Sequence, residues 1–513
     1  MPLAGGILIG LIFHWFAKEH QGVGIVHVSE RLGYHQGRMP IRNTLLQMIG
    51  AAISLISGQS VGREGPSVHM GAATGSLLSQ WIRLPNNSMR IMVGCGVAAA
   101  IAASFNTPLA GVIFAMEVVL MEYTIASFTP IILAAVSATV LTRAFYGDSP
   151  AFSVPTMSFE SSWELPYVLI LGLVMGAIAA LFIHIAGTVS SRYGQRPILT
   201  RMTIAGALMG ALAVFVPQIM SIGYDTVNAA LLGNIGLGLL LLILLAKLIA
   251  SAMAVGLGVP AGFIGPTMVI GATAGGALGV IAGLIFPGEV SNSGFYAMLG
   301  LAAMMAATFQ APLSALTAMV ELTANPQVIL PTMLAVVSSG ITSREIFGKV
   351  SIVLTLLQTR GLDYRNNPVA QSLRRVGVTS VMDRSFVESK NQLTVTEAMT
   401  LLNGQPQWVV VREAADKQFL LRAAELARFI EQHDQEQIEL EEIPAQRWQW
   451  TSIEPQATLQ EALETLDSSQ AESLLVIRQR PFASDQIYGV LNRDTIEANY
   501  ALRPRYNSDN RQQ

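Results

Sequence analysis

The chain has 513 residues, 51% of them hydrophobic and only 13% charged, with a formal net charge of −3. That balance carries no signal for a nucleic-acid partner, and the lone cysteine, Cys95, excludes an internal disulfide framework. The 65 charges divide unevenly, 29 in residues 1–365 and 36 in the last 148, so the sequence predicts an all-α polytopic membrane domain followed by a small α/β soluble domain.

Apolar stretches recur at Leu3–Phe16, Thr44–Ile56, Ile91–Ser104, Leu109–Leu120, Ile125–Leu141, Tyr167–Ala186, Met202–Val216, Leu237–Val255, Phe263–Ile285, Phe295–Phe309, Leu313–Leu322 and Val328–Ile341. A helix that crosses a bilayer alone needs about 20 apolar residues. Several of these runs are shorter and rich in glycine or proline. Broken helices of that kind are tolerated at membrane depth only where they are buried in protein or line a water-filled path, and they point to a binding site.

Between the second and third runs stands Gly62-Arg63-Glu64-Gly65-Pro66. Gly65 and Pro66 suit a helix start, because proline has no N–H to lose there and its φ is already helical. Gly62 and Gly65 let the backbone bend and approach a ligand closely. A helix start exposes unpaired N–H groups and a partial positive charge, which makes an anion site. Glu64 is a carboxylate in that same opening. It can fill the site itself or swing out and leave it to another anion.

The chain also repeats. Gly62 to Ser67 with Gly71, Ala72 and Gly75 matches Gly262-Phe263-Ile264-Gly265-Pro266-Thr267 with Gly271, Ala272 and Gly275, at an offset of 200. Gly96-Val97-Ala98-Ala99 through Ser104-Phe105 and Pro108-Leu109 to Glu117 matches Gly300-Leu301-Ala302-Ala303 through Thr308-Phe309 and Pro312-Leu313 to Glu321, at an offset of 204. Two related halves, each with a G-x-x-G-P helix opening, would face each other near the midplane. Two positive helix ends converging there make an anion site without any lysine.

These residues resemble the CLC family of chloride channels and proton-coupled chloride antiporters. Gly62 to Pro66 is similar to its G-R-E-G-P segment, and Gly262 to Pro266 to its G-x-F-x-P segment, with Ile264 where phenylalanine is usual. The stretch Ser104 to Gly111, and Ser351-Ile352-Val353 leading to Arg360-Gly361-Leu362, also resemble the family. The resemblance implies a CLC-type inverted repeat, a homodimer with one pathway per subunit, and chloride or a similar small anion as cargo. It makes Glu64 the gating glutamate. Backbone amides at Phe263 and Ile264, and at the Gly24-Ile25 turn, would hold the central anion. Arg63 is expected to fix its loop by hydrogen bonds.

Three departures qualify this. The family's G-S-G-I-P segment reads Gly22-Val23-Gly24-Ile25-Val26, and the tyrosine of its last helix aligns with Val353, so both side-chain donors at one end of the pathway are lost. Central binding is expected to weaken by about 1 kcal/mol or more per lost donor. The internal proton-carrying glutamate of the antiporters aligns with Val118. That residue favours a passive, voltage- or pH-gated anion channel, with chloride/proton exchange as the alternative. The chain also opens within what resembles the family's third helix, so the two helices expected before it are absent from this sequence, either because the start is misassigned or because the protein does without them.

Lys247, inside an apolar run, is expected to reach the membrane interface along its stem. Glu117 and Glu321, equivalent in the two repeats, are expected to share a structural role near helix ends. His69 reads as a packed or pore-adjacent histidine. No H-E-x-x-H and no G-K-[ST] phosphate loop is present, so neither metalloprotease nor nucleotide-driven pump is supported, no metal is implied and the protein is not read as an enzyme.

The membrane domain is assigned to residues 1–365 and a linker to 366–375. The tail carries a further repeat at an offset of 64, in which Thr394-Val395-Thr396-Glu397-Ala398-Met399 matches Thr458-Leu459-Gln460-Glu461-Ala462-Leu463. It resembles a tandem CBS pair, 376–440 and 441–500, followed by a disordered end, 501–513. The positions that would recognise a ribose read Arg422/Glu425 and Asn492/Thr495, so nucleotide binding is not expected. The resemblance places the protein in a bacterial inner membrane with its tail in the cytoplasm.

Overall fold

In a computed structural model, residues 1–17, 24–148, 152, 162–287, 290–323, 325–362, 368–412, 418–433, 435–478 and 485–501 are described. They form two compact units, residues 1–82 with 89–364, and residues 83–88 with 365–513.

The first unit is helical. Its elements are α1 (Pro2–Phe16), α2 (Gly24–Tyr34), α3 (Ile41–Ile56), α4 (Glu64–Trp81), α5 (Asn86–Phe105), α6 (Pro108–Phe114), α7 (Ile125–Tyr146), α8 (Leu165–Tyr193), α9 (Ile198–Phe215), α10 (Tyr224–Leu231), α11 (Leu237–Leu257), α12 (Ile264–Ile285), α13 (Ser293–Phe309), α14 (Pro312–Thr323), α15 (Ile329–Ile341) and α16 (Ile352–Gln358). Among the described residues six of these, α5, α7, α8, α9, α11 and α12, are long and apolar enough to cross a bilayer. Their lipid-facing sides carry exposed residues such as Leu133, Leu181, Leu245 and Leu284.

The sequence repeat becomes a repeated helix crossing. A Cβ on Gly71 would lie 2.2 Å from the Gly96 carbonyl oxygen, and one on Gly75 would lie 2.2 Å from that of Met92. In the second half, a Cβ on Gly271 would lie 2.5 Å from the Gly300 oxygen and one on Gly275 2.2 Å from that of Tyr296. In both halves, then, glycines four apart let two backbones touch. Such contact is how helices associate in lipid, where the hydrophobic effect does not drive them together.

The halves also cap one another. Glu321, on α14, accepts the backbone N–H of Leu109 (2.9 Å) and of Ala110 (2.8 Å) at the start of α6. Glu117, on the π-helical turn Ala115–Leu120 after α6, accepts those of Leu313 (3.2 Å) and Ser314 (2.7 Å) at the start of α14. First-turn N–H groups have no intrahelical acceptor, and each carboxylate supplies one across the pseudo-symmetric contact. Both glutamates thus sit at helix ends, but at the ends of each other's half.

The second unit holds α17 (Pro368–Arg374), α18 (Val395–Leu402), α19 (Ala423–Gln432), α20 (Leu459–Ser469) and α21 (Arg493–Ala501), with β1 (Phe386–Ser389), β2 (Gln392–Thr394), β3 (Trp408–Arg412), β4 (Gln418–Arg422), β5 (Gln437–Glu439), β6 (Trp450–Ile453), β7 (Ser473–Arg478) and β8 (Gln486–Asn492). Two equivalent sheets, β1-β3-β4 and β6-β7-β8, each pair one parallel and one antiparallel neighbour. α18 and α20 both open with a capping box, Thr394 with Glu397 and Thr458 with Glu461. Hydrogen bonds from Thr394 hold the exposed Glu397 carboxyl below the usual carboxylate range, whereas burial pushes that of Glu461 up. The segment 366–375, expected to be a linker, contains α17, and Leu373 of that helix joins the apolar core formed with α20 and β7. Most of the expected disordered end, 502–513, lies outside the described residues.

Candidate functional site

The two G-x-x-G-P openings meet. Gly62 and Gly262 form an antiparallel bridge, the N–H of Gly62 donating to the Gly262 carbonyl at 2.7 Å and that of Gly262 to Gly62 at 2.8 Å. Helices α4 and α12 start from this bridge, with Arg63 and Phe263 at their N-cap positions and no side-chain cap on either. α2 starts beside them. Its first residue, Gly24, takes φ +54°, and a Cβ there would lie 3.2 Å from the Ala261 carbonyl and 3.6 Å from Gly65 Cα. A Cβ on Gly65 would fall 2.4 Å from Gly262 Cα, so any side chain at 65 would force the openings apart. Pro66 and Pro266 occupy the first turns of α4 and α12, where a missing N–H costs nothing.

Glu64 is fully buried at this junction. Its Oε2 accepts the Gly265 N–H at 3.2 Å, so the acid of the first half fills the anion position at the helix opening of the second. Its Oε1 accepts the Tyr224 hydroxyl, from the start of α10. Arg63 donates to the Ser104 carbonyl at 3.3 Å, and its guanidinium carbon lies 5.5 Å from the centre of the Tyr224 ring. Its contacts are with the loop and the ring.

Two cavities flank the junction. One, of about 670 Å³, is lined by residues including Arg63, Ser67, Ser104, Asn106 and Tyr146. The other, of about 550 Å³, is lined by residues including His27, Arg31, Arg201, Gly262, Phe263 and Arg360. Arg360 pairs with Glu30 at 3.3 Å. Three guanidinium groups against one carboxylate make this second cavity attractive to anions. Arg63 and Phe263, the two N-cap residues, therefore open onto different cavities, with the buried Glu64 carboxylate between them.

The remaining candidate residues divide. Ile25 is fully buried beside Gly24, and Ile264 begins α12 and is buried with it. Phe263 stacks on Phe309 with centroids 5.3 Å apart. Val353 is enclosed in the apolar core of the unit, while Leu356 and Thr359 of the same segment line the second cavity. Val118 lies on the π-helical turn Ala115–Leu120, 3% exposed and in apolar surroundings. Gly22 and Val23 lie outside the described residues. His69 is buried against His27 with ring centroids 5.0 Å apart, and among the described residues no cluster that could hold a metal ion occurs.

Lys247 departs from expectation. It does not reach an interface. It is fully buried, and its ammonium donates to the carbonyls of Ile219 (2.9 Å), Ser221 (2.8 Å) and Ile222 (3.5 Å). The irregular segment between α9 and α10 leaves carbonyls with no helical donor, which is costly at membrane depth. One ammonium satisfies three of them. Tyr224 carried no motif or repeat partner, and nothing in the sequence marked it.

Comparison with known proteins agrees with this geometry. A family model described as voltage gated chloride channel matches residues 5–344. A ClcB-like chloride channel protein of Ralstonia nicotianae is 32% identical over 349 residues, 67% of this chain and 81% of that protein. The H+/Cl− exchange transporter ClcA of Vibrio cholerae is 29% identical over 350 residues, 66% of this chain and 74% of that protein. Among solved structures, a slow cyanobacterial Cl−/H+ antiporter is 25% identical with a TM-score of 0.63, covering 71% of this chain and 87% of its own. A eukaryotic CLC transporter, 20% identical with a TM-score of 0.61, shares the fold over 96% of this chain and 88% of its own. The paired helix openings, the buried acid between two cavities and these matches have one reading: the chain belongs to the voltage gated chloride channel family, the CLC proteins.

Proposed function

We propose that this membrane protein moves chloride in exchange for protons, with Glu64 as the group that alternates with the anion. The observation that carries the proposal is the Glu64 carboxylate seated on the Gly265 amide between two separate cavities. A carboxylate that an anion can displace is also a group that can take up a proton once displaced. The similarity to an H+/Cl− exchange transporter and to a slow Cl−/H+ antiporter supports exchange. Passive conduction stands second: Val118, buried on an apolar turn, cannot relay a proton and favours it, but the similarity to two proton-coupled exchangers weighs against that single position. In proteoliposomes, a chloride gradient is expected to drive protons uphill, read with a pH-sensitive dye. Chloride flux with no proton movement would select the passive reading.

Where the family carries hydroxyl donors this chain has Val23 and Val353, so the anion is held by amides and helix dipoles alone. A chloride-soaked structure is expected to show partial occupancy of the centre, and full occupancy would contradict the weak site. The two equivalent sheets of the second unit fit a CBS-like pair. Asn492 spends its carbonyl oxygen on Thr495, as a helix cap, which fits a regulatory or dimerisation role without a nucleotide. A homodimer in a bacterial inner membrane, with this unit cytoplasmic, completes the proposal.

A further inference from the structure

Glu64 is held by more than a helix end. Its Oε2 takes the Gly265 N–H at 3.2 Å, and its Oε1 takes the Tyr224 hydroxyl. Both donors come from the second half of the chain, but only the first belongs to the repeated motif. The position of the Tyr224 ring is fixed from several sides. Phe152 packs edge-on at 4.9 Å between centroids, Phe105 lies at 6.3 Å, and the Arg63 guanidinium sits over the ring at 5.5 Å. The backbone leading into Tyr224 is fixed as well. Gly223 turns with φ +84°, and the buried Lys247 ammonium ties down the carbonyls of Ile219, Ser221 and Ile222 just upstream.

We infer that Tyr224 is the latch of the Glu64 gate, a positioning residue that holds the carboxylate over the α12 opening, with Lys247 fixing the strap that delivers it. The physical argument is an asymmetry. An anion arriving at the α12 opening replaces the carboxylate at the Gly265 amide. Departure of Glu64 also breaks its bond to the Tyr224 hydroxyl, and the anion must compensate for that second loss. A hydrogen bond to an ionised carboxylate is among the stronger ones in a water-poor site. The latch therefore sets how much anion is needed to open the gate, independently of the backbone site where the anion rests. The inference requires that Glu64 gates the pathway, and holds for exchange and for passive conduction alike.

The test uses the full-length protein in proteoliposomes and reads chloride flux against chloride concentration for Tyr224→Phe, Glu64→Gln and the double variant. Tyr224→Phe keeps the ring and its packing and removes only the hydroxyl. The half-activating chloride concentration is expected to fall about tenfold, in line with the loss of one charge-assisted hydrogen bond. In the Glu64→Gln background the same substitution is expected to have a much smaller effect, because an uncharged amide oxygen accepts the hydroxyl more weakly than a carboxylate does. Thermal unfolding of Tyr224→Phe should match the parent. An unchanged half-activating concentration, or a shift of equal size with and without the Glu64 carboxylate, overturns the latch. If Glu64→Gln itself leaves the flux unaltered, the gating role fails and the latch with it, so the two failures are distinguishable.

Discussion

Glu64→Gln is expected to raise anion flux about tenfold or more at low chloride, and to weaken its dependence on pH. The carboxylate sits on the Gly265 amide at 3.2 Å and is fully buried. A bond from a neutral amide to a charged group contributes about 1.5–3 kcal/mol, and a neutral amide side chain at the same place keeps only part of that. Each 1.4 kcal/mol is a factor of ten in occupancy, so even a modest loss hands the helix opening to the anion. The pH effect follows from the proposed exchange, in which Glu64 is the side chain that carries the proton, because a glutamine side chain has no acidic proton to carry. Stopped-flow flux at several pH values measures both effects. A variant that matches the parent in rate and pH profile contradicts the assignment of Glu64.

The second large effect is on stability. Glu117→Ala and Glu321→Ala each strand two backbone N–H groups at the start of the other half's helix. An orphaned donor shut off from water costs about 1–3 kcal/mol; the Ala110 and Ser314 bonds are part-buried and those of Leu109 and Leu313 exposed, so each substitution should cost about 1–3 kcal/mol. The similar geometry of the two caps predicts similar losses. Because both caps brace the same α6–α14 contact, the double variant should depart from additivity. Thermal unfolding in detergent reads this directly, with Glu117→Gln and Glu321→Gln milder because the amide oxygen can still accept one bond. Unfolding temperatures indistinguishable from the parent would show that the reciprocal caps contribute little.

Much of this arrangement was legible in the residues. The repeat pairs Gly62 with Gly262 and Gly65 with Gly265, and the structure closes the first pair with two hydrogen bonds. The apolar runs mark most of the helices, because a segment surrounded by lipid must be apolar on its outer face. They miss α2, whose His27, Ser29, Glu30 and Arg31 give it the composition of a soluble helix. That helix sits against its neighbours with seven of its residues buried and turns polar groups to a cavity. The runs also miss α4, which only its Gly65-Pro66 opening marks, and the short α10 and α16, eight and seven residues long.

What was not legible depends on the third dimension. The equivalence of Glu117 and Glu321 suggested a shared role, but that each serves the other's half follows only from how the halves interlock. Lys247 reads as a residue whose long stem reaches the interface. Its acceptors are the carbonyls of a segment some 26 residues upstream. Tyr224 has neither motif nor repeat partner, so its hydroxyl on Glu64 is a product of tertiary structure alone.

The most direct measurement is an anomalous-diffraction map of bromide-soaked crystals of the parent and of Glu64→Gln. Displacement of the acid by the anion predicts a bromide peak in the variant within hydrogen-bond reach of the Gly265 N–H, where Oε2 now lies at 3.2 Å, and little or none there in the parent at low bromide. A peak of equal height beside an undisplaced Glu64 in the parent, or no peak at this junction in the variant, would contradict competition between the carboxylate and the anion.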